Sequence, residues 1–106
     1  MLHLSSRNFE EETGKGTPII VDFFADWCGP CRQLAPIFEE LSGDYKGKLN
    51  FGKLNTDENP GIPQKFGVMG IPCLIVIKKG KEAGRIVGFM PKDKLKAEID
   101  RILAKL

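Results

Sequence analysis

Two apolar runs and two amphipathic stretches dominate the hydrophobic pattern of the chain. Residues 18–25 and 73–78 are short, apolar and rich in β-branched side chains, which is typical of buried strands. Apolar residues recur at helical spacing after Cys28 and again after Pro91. The two sets are Leu34, Ile37, Phe38, Leu41 and Tyr45, then Leu95, Ile99, Ile102, Leu103 and Leu106. The pattern therefore predicts two core strands and two long helices, the first of them kinked at Pro36.

Five shorter elements complete the predicted order βαβαβαββα. They are a strand over residues 1–4, a helix capped by Ser5 or Ser6 and ending near Gly14, a strand over 49–55, a short helix from Asn59-Pro60 to Phe66, and a strand over 83–87. A turn at residues 79–81 makes this last strand a hairpin partner of residues 73–78. Alternating strands and helices predict a parallel sheet, to which the hairpin adds antiparallel strands.

Length and composition limit the class of protein. The 106 residues suffice for one domain, residues 1–106, with its own hydrophobic core. Lys and Arg total 16 against 14 Asp and Glu, and they are scattered, so we expect no nucleic acid and no membrane as a partner. The first residues lack the pattern of a signal peptide, which favours a cytoplasmic protein. In that compartment a Cys-x-x-Cys pair is more often redox-active or metal-binding than a permanent bridge.

The candidate chemistry lies in residues 27–31, Trp-Cys-Gly-Pro-Cys. Two thiols at this spacing form either a dithiol–disulfide switch or half of a zinc site. Cys28 falls where a buried strand meets a long helix, so its sulfur is expected beside free N–H groups that favour a thiolate nucleophile. Cys31 lies one turn deeper and is expected to be more buried, as the resolving thiol. Pro30 suits a first helical turn, because its missing N–H has no partner there.

Several segments together resemble the thioredoxin family. They are Val21-Asp-Phe-Phe-Ala-Asp-Trp-Cys-Gly-Pro-Cys31, Ala35-Pro36, Phe51-Gly-Lys-Leu-Asn-Thr-Asp57, Gly70-Ile-Pro72 and Val87-Gly88. The resemblance covers essentially the whole chain, which makes it far more specific than a lone Cys-x-x-Cys pair. It implies an α/β fold, a thioredoxin-like three-layer α/β/α sandwich, in which a central mixed sheet of four to five strands is flanked by about four helices.

Asp22 interrupts an apolar strand, where a charge is costly. Taken alone, such a residue either faces outward, pairs at a sheet edge, or serves a catalytic site. The resemblance implies the last of these, because the matching aspartate of thioredoxins is buried beneath the dithiol, assists proton transfer at the resolving cysteine, and has a lysine beside it that matches Lys53. Our hypothesis is that Asp22 takes the Cys31 proton through a water molecule and that Lys53 tunes it.

The resemblance also implies a substrate-binding surface around Cys28. Pro72 matches a cis-proline that faces the dithiol and leaves the backbone of Ile71 free to pair with an extended substrate, whereas the alternative is a trans proline that starts a strand. The surface comprises Trp27, Gly29, Pro30, Ile71, Pro72, Val87 and Gly88. Ile71 and Val87 alternatively pack in the core. Met69 and Met90 either line the surface or fill gaps.

Two positions depart from the family's usual pattern. Phe24 stands where many members have a second tryptophan, a conservative change that concerns packing. Cys73 stands where threonine is usual, and it is either a buried inert thiol, a third redox partner, or a metal ligand together with the other two cysteines. His3 is the only histidine and would be the fourth zinc ligand, but no second ligand lies near it in sequence, so an exposed strand residue is expected.

The predicted function is reduction of protein disulfides. Cys28 attacks the substrate, Cys31 resolves the mixed disulfide, and a thioredoxin reductase restores the dithiol, so the expected partners are disulfide-containing proteins and that reductase. We expect a monomer with no cofactor and no bound metal. The alternatives are a disulfide oxidase or isomerase, a non-enzymatic binding module of the same fold, and a metal-binding protein.

Overall fold

A computed structural model describes residues 1–106 and contains five strands and four helices in the predicted order. The elements are β1 (Leu2–Leu4), α1 (Phe9–Thr13), β2 (Ile19–Phe24), α2 (Gly29–Asp44), β3 (Asn50–Asn55), α3 (Gly61–Lys65), β4 (Cys73–Lys78), β5 (Lys81–Val87) and α4 (Lys92–Leu103). None of the helices has the length and apolar character that crossing a membrane would need.

The five strands form one mixed sheet in the order β1-β3-β2-β4-β5. β1 and β2 both pair with β3 in parallel, whereas β4 pairs antiparallel with β2 and with β5. The predicted parallel sheet with an added antiparallel hairpin is therefore confirmed. β2 is the central strand and is hydrogen-bonded on both sides. The residues that follow it therefore leave the sheet from its middle, at the carboxyl end of β2.

Helices cover both faces of the sheet. Side chains alternate along a strand, so Ile20 of β2 faces α2 and α4, whereas Val21 faces α1 and α3. The first core includes Leu34, Phe38 and Leu41 from α2 with Leu95, Ile99 and Ile102 from α4. In the second core, Phe9 of α1 and Ile62 of α3 pack against the sheet. The predicted three-layer α/β/α sandwich is confirmed, with five strands and four helices.

The short helices begin later than the sequence predicts. Ser5 does not cap α1, because its Oγ instead accepts a hydrogen bond from the N–H of Arg7 at 3.2 Å inside a turn that precedes the helix. The prediction of Asn59 as the cap of α3 is also wrong, since the helix begins at Gly61. The Asn59 Oδ1 atom accepts a hydrogen bond from the N–H of Ser6 at 3.0 Å. Both polar side chains therefore serve loop backbone rather than helix ends.

The hairpin and the last helix also differ in their bounds. Lys79 and Gly80 have φ angles of 52° and 79°, so a two-residue turn joins β4 to β5, and β5 begins at Lys81 rather than at residue 83. The apolar stripe of α4 ends at Leu103, and Leu106 lies beyond the helix with 47% of its surface exposed. α2 continues through Pro36.

Candidate active site

Cys28 and Cys31 lie at the junction of β2 and α2. Their sulfur atoms form a disulfide, and their Cα atoms are 5.2 Å apart. Cys28 occupies the N-cap position of α2, with φ −85° and ψ 109°. Its Sγ accepts a hydrogen bond from the backbone N–H of Cys31 at 3.2 Å. The predicted proximity of the Cys28 sulfur to free N–H groups at the helix start is therefore present in the structure.

Burial does not distinguish the two cysteines. Cys28 is 4% exposed and Cys31 is 3% exposed, so the expectation that Cys31 is clearly the more buried is wrong for the disulfide state. The reason is that Cys28 is covered from the side, since its Sγ lies 3.9 Å from the backbone oxygen of Ile71. Ala25 completes the small apolar cluster around the pair. Access to Cys28 is therefore governed by the segment that carries Ile71.

Asp22 lies on the central strand and is only 1% exposed, so it neither faces outward nor pairs at a sheet edge. Both oxygens of its carboxyl group are buried without a hydrogen-bond partner. Lys53 is its register partner on β3. The ammonium group of Lys53 lies over the ring of Phe24 instead of contacting Asp22, 4.8 Å from the ring centroid.

A cavity of about 160 Å³ connects Asp22 with Cys31 and Lys53. Half of its lining residues are polar, among them Asp22 and Lys53, and these groups together with its volume suit one or more water molecules. Burial raises the pKa of Asp22 from 3.8 to about 7, although the positive charge of Lys53 acts to lower it. The carboxyl group therefore changes its protonation state near neutral pH, beside one sulfur of the disulfide.

The segment before β4 and the end of β5 meet beside the cysteines. The Ile71–Pro72 peptide bond is cis, as the resemblance implies. The backbone oxygen of Pro72 accepts a hydrogen bond from the N–H of Gly88 at 2.8 Å, and Gly88 has a φ of +90°, a conformation that favours glycine. Val87 is 59% exposed and Ile71 is half-buried, whereas Pro72 itself is buried. Ile71 and Val87, rather than the Pro72 ring, therefore supply apolar surface at this point.

Trp27 is the most exposed aromatic residue beside the cysteines, with 69% of its surface accessible. Its indole Nε1 donates a hydrogen bond to Asp57 Oδ2 at 2.9 Å. No role for Asp57 was predicted from the sequence. A signal was present, because Asn55 two residues earlier ends a predicted strand and asparagine there favours a turn. In the structure Asn55 Oδ1 accepts a hydrogen bond from the N–H of Asp57 at 2.9 Å.

A groove of about 250 Å³ runs beside the Trp27 ring. Ile71, Pro60, Val68 and Met69 are among the residues that line it. Met69 is fully exposed, so of the two methionines it is the one that lines this surface. Met90 packs half-buried against the core on the α2 and α4 face. Pro60 was predicted from the sequence only as part of a short helix, and Val68 was not singled out at all.

The remaining predicted residues are distributed as follows. Gly29 is half-buried and Pro30 exposed at the start of α2, next to Cys28. Cys73 is 1% exposed in the core on the α1 and α3 face, in a cluster that contains neither Cys28 nor Cys31, and burial raises the pKa of its thiol. Exposed His3 lies on the edge strand β1. No three His, Cys, Asp or Glu side chains are grouped so that they would hold a metal ion.

Comparisons with known proteins agree with this site. A family model described as Thioredoxin matches residues 1–101. The chain is 47% identical over 103 residues to a thioredoxin of Staphylococcus haemolyticus and to one of Staphylococcus saprophyticus, in each case over 97% of this chain and 98% of the relative. It is 41% identical over 100 residues to a thioredoxin of Alicyclobacillus acidocaldarius, over 94% of this chain and 95% of that protein. The chain therefore belongs to the thioredoxin family and is a thiol–disulfide oxidoreductase built around Cys28 and Cys31.

Proposed function

We propose that this chain reduces disulfides in other proteins, with Cys28 as the attacking thiol and Cys31 as the resolving thiol. The observation that carries this assignment is the hydrogen bond from the Cys31 N–H to Cys28 Sγ at the N-cap of α2. After reduction the same N–H and the helix dipole stabilise a thiolate at Cys28. Cys31 lies inside the helix and lacks this position.

The reaction then proceeds by two successive thiol–disulfide exchanges. The Cys28 thiolate attacks one sulfur of the substrate disulfide, forms a mixed disulfide, and releases the first substrate thiolate, which takes a proton. The Cys31 thiolate next attacks Cys28 Sγ, which forms the intramolecular disulfide and releases the second substrate thiolate. The substrate gains two electrons, and the pair of cysteines loses two.

Asp22 is the proposed acceptor of the Cys31 proton. A thiol is a weak nucleophile until it ionises, and a base with a pKa near the working pH transfers protons efficiently. The pKa of about 7 at Asp22 meets this requirement, and the shared cavity supports a relay through water. Lys53, whose charge lowers the pKa of Asp22, increases the fraction of that carboxyl group that is ionised at neutral pH.

The substrate-binding surface in this proposal surrounds Cys28 and comprises Trp27, Gly29, Pro30, Ile71, Pro72, Val87 and Gly88. Exposed apolar side chains at Trp27 and Val87 bind varied partners without requiring one sequence. The Ile71 backbone, 3.9 Å from Cys28 Sγ, suits pairing with an extended substrate segment. Buried Pro72 acts through the backbone position of its neighbours.

A thioredoxin reductase is the proposed electron donor, because the disulfide must receive two electrons and two protons before each new cycle. A cytoplasmic location belongs to the same proposal, since that compartment keeps such pairs reduced. We also propose that residues 1–106 act as a single domain. The sheet combines strands from both ends of the chain, and α4 packs on it, which supports this view.

The test combines turnover with trapping. The wild-type protein is expected to accelerate the reduction of insulin by dithiothreitol, whereas Cys28→Ser and Cys31→Ser lose this activity. Incubated with a disulfide-containing protein, Cys31→Ser is expected to accumulate a mixed disulfide through Cys28, and the matched Cys28→Ser variant to accumulate none. Trapping by Cys28→Ser instead would reverse the assignment. No acceleration and no trapped partner would favour the binding module, and metal found in anaerobically purified protein would favour a metal site.

A further inference from the structure

Lys53 has two possible partners and contacts one of them. It is the register neighbour of Asp22 across β2 and β3, and the two side chains line the same cavity. A lysine stem is long enough to bring the ammonium group to that carboxyl group. Yet the Asp22 oxygens have no hydrogen-bond partner, and the ammonium group instead lies 4.8 Å from the centroid of the Phe24 ring. The face of an aromatic ring attracts a cation and competes with the carboxylate.

We propose that Phe24 is a positioning residue, whose ring holds the Lys53 ammonium group out of direct contact with the Asp22 carboxyl group. The inference rests on the proposed role of Asp22 as proton acceptor. An ion pair would strongly favour the charged carboxylate, which is a weak base. A cation kept at a distance lowers the pKa less, so Asp22 remains able to exchange protons near neutral pH.

Other charged and titratable groups lie around Asp22, but the charge that acts on its pKa is that of Lys53. Arg32 of α2 and Asp26 of the preceding loop line the cavity, but the Arg32 guanidinium donates to the backbone oxygen of Asp26 at 2.8 Å. Cys31 is held in the disulfide. On β4 the Cys73 thiol stays neutral at pH 7, because burial raises its pKa. Among the charged groups, Lys53 is the one that acts on the pKa of Asp22, and only the burial of the carboxyl group has a larger effect.

Simple packing of Phe24 is the competing explanation. The ring is half-buried against the cluster of Ala25, Cys28 and Cys31. If packing were its only role, an aliphatic residue in its place would alter stability but leave the titration of Asp22 unchanged. The two explanations therefore differ in the pKa of a neighbouring group, which is measurable without an activity assay.

The experiment is a carbon-13 NMR titration of the aspartate carboxyl groups in the oxidised protein, with the Asp22 signal assigned by its loss in Asp22→Asn. Phe24→Leu is expected to lower the Asp22 midpoint by about one pH unit, as a direct ion pair with Lys53 forms. Phe24→Tyr is the matched control and keeps the midpoint, because it keeps an aromatic face. In a Lys53→Met background, Phe24→Leu is expected to leave the midpoint where Lys53→Met alone puts it.

Two outcomes would overturn the inference: an unchanged midpoint in Phe24→Leu, or a shift that persists in the Lys53→Met background. Should Phe24→Leu fail to fold, the wild-type protein supplies the measurement, since the Lys53 Hε protons are expected upfield of their usual position because of the Phe24 ring current. Normal positions for these protons would contradict the proposal. A normal reduction rate in Asp22→Asn would instead refute the proposed role of Asp22, which is a separate result.

Discussion

The indole nitrogen of Trp27 donates a hydrogen bond to Asp57, 30 residues further along the chain, at 2.9 Å. The bond joins the residue before Cys28 to the turn that follows β3. Asn55 orients this turn by accepting a hydrogen bond from the Asp57 N–H. Because Trp27 is 69% exposed, few packing contacts hold its ring, and the bond to Asp57 orients the ring at the border of the groove beside it.

We expect Asp57→Ala to free the Trp27 ring and weaken substrate binding. KM for a protein disulfide should rise by about fivefold with little change in kcat, which corresponds to roughly 1 kcal/mol for a lost hydrogen bond. Trp27 is the only tryptophan, so its fluorescence anisotropy decay reports ring motion directly. Asp57→Asn retains an acceptor oxygen and serves as the control. An unchanged decay in Asp57→Ala would contradict the prediction.

Asp22→Asn is expected to slow disulfide reduction and remove its dependence on pH near 7. As the pH rises through the pKa of about 7, wild-type Asp22 loses its proton and becomes able to accept one from Cys31. The wild-type rate should therefore rise through this range, and the variant should be slower by roughly 10- to 100-fold at pH 7.5, the lower end of general-base effects. Single-turnover reduction between pH 5.5 and 8.5 measures this, and identical profiles would refute the role.

Asp22→Asn should also stabilise the fold above pH 7. The pKa of Asp22 is about 7 in the folded protein and 3.8 when unfolded, so between these values only the folded chain holds the proton. Stability therefore falls as pH rises from about 4 to 7, by an amount on the order of 4 kcal/mol. Urea unfolding should show a variant that is close to wild type at pH 4 and more stable by a few kcal/mol at pH 8. A constant difference across this range would contradict the burial argument.

Cys73 is expected to be chemically inert in the folded protein. In the oxidised chain it is the free cysteine, and it is buried. A thiol reagent should therefore label no group under native conditions and one group per chain in guanidinium chloride. Cys73→Ala should keep the reduction rate within about twofold and cost about 1–2 kcal/mol of stability through lost packing. Native labelling, or a large loss of activity, would favour a redox role for this thiol.

Gly84→Ala is expected to destabilise the protein by disturbing the packing of β5 on α4. A Cβ atom at Gly84 would lie 2.9 Å from Cγ1 of Ile102, a branched side chain with little freedom to move away. We expect a loss of about 1–3 kcal/mol from overpacking. Gly43→Ala in α2 is the control, because its Cβ meets open space and should add about 0.5–1 kcal/mol to helix stability. In a double-mutant cycle with Ile102→Ala, which removes the three contacting carbon atoms, Gly84→Ala should cost less, and full additivity would argue against this contact.

The sequence by itself determined the order of the elements, the mixed sheet and the position of the cysteine pair. These properties depend on short-range information, namely the spacing of apolar residues in β2 and α2 and the junction between them. Element ends were less accessible: Ser5 and Asn59 both have the chemistry of helix caps, but in the structure they bind loop backbone. The apolar pattern singled out Asp22, but only the family resemblance chose its role, and the resemblance alone indicated the cis peptide before Pro72.

Only the tertiary structure decided which distant groups meet. The bond between Trp27 and Asp57 and the equal burial of the two cysteines depend on how separate loops converge at one end of the sheet. The position of Lys53 over the Phe24 ring rather than at Asp22 is of the same kind, because the register of β2 and β3 brings all three residues together. Hydrophobic periodicity specifies which face of an element is buried, but the pairing of polar groups across elements depends on distances that exist only after the sheet has formed.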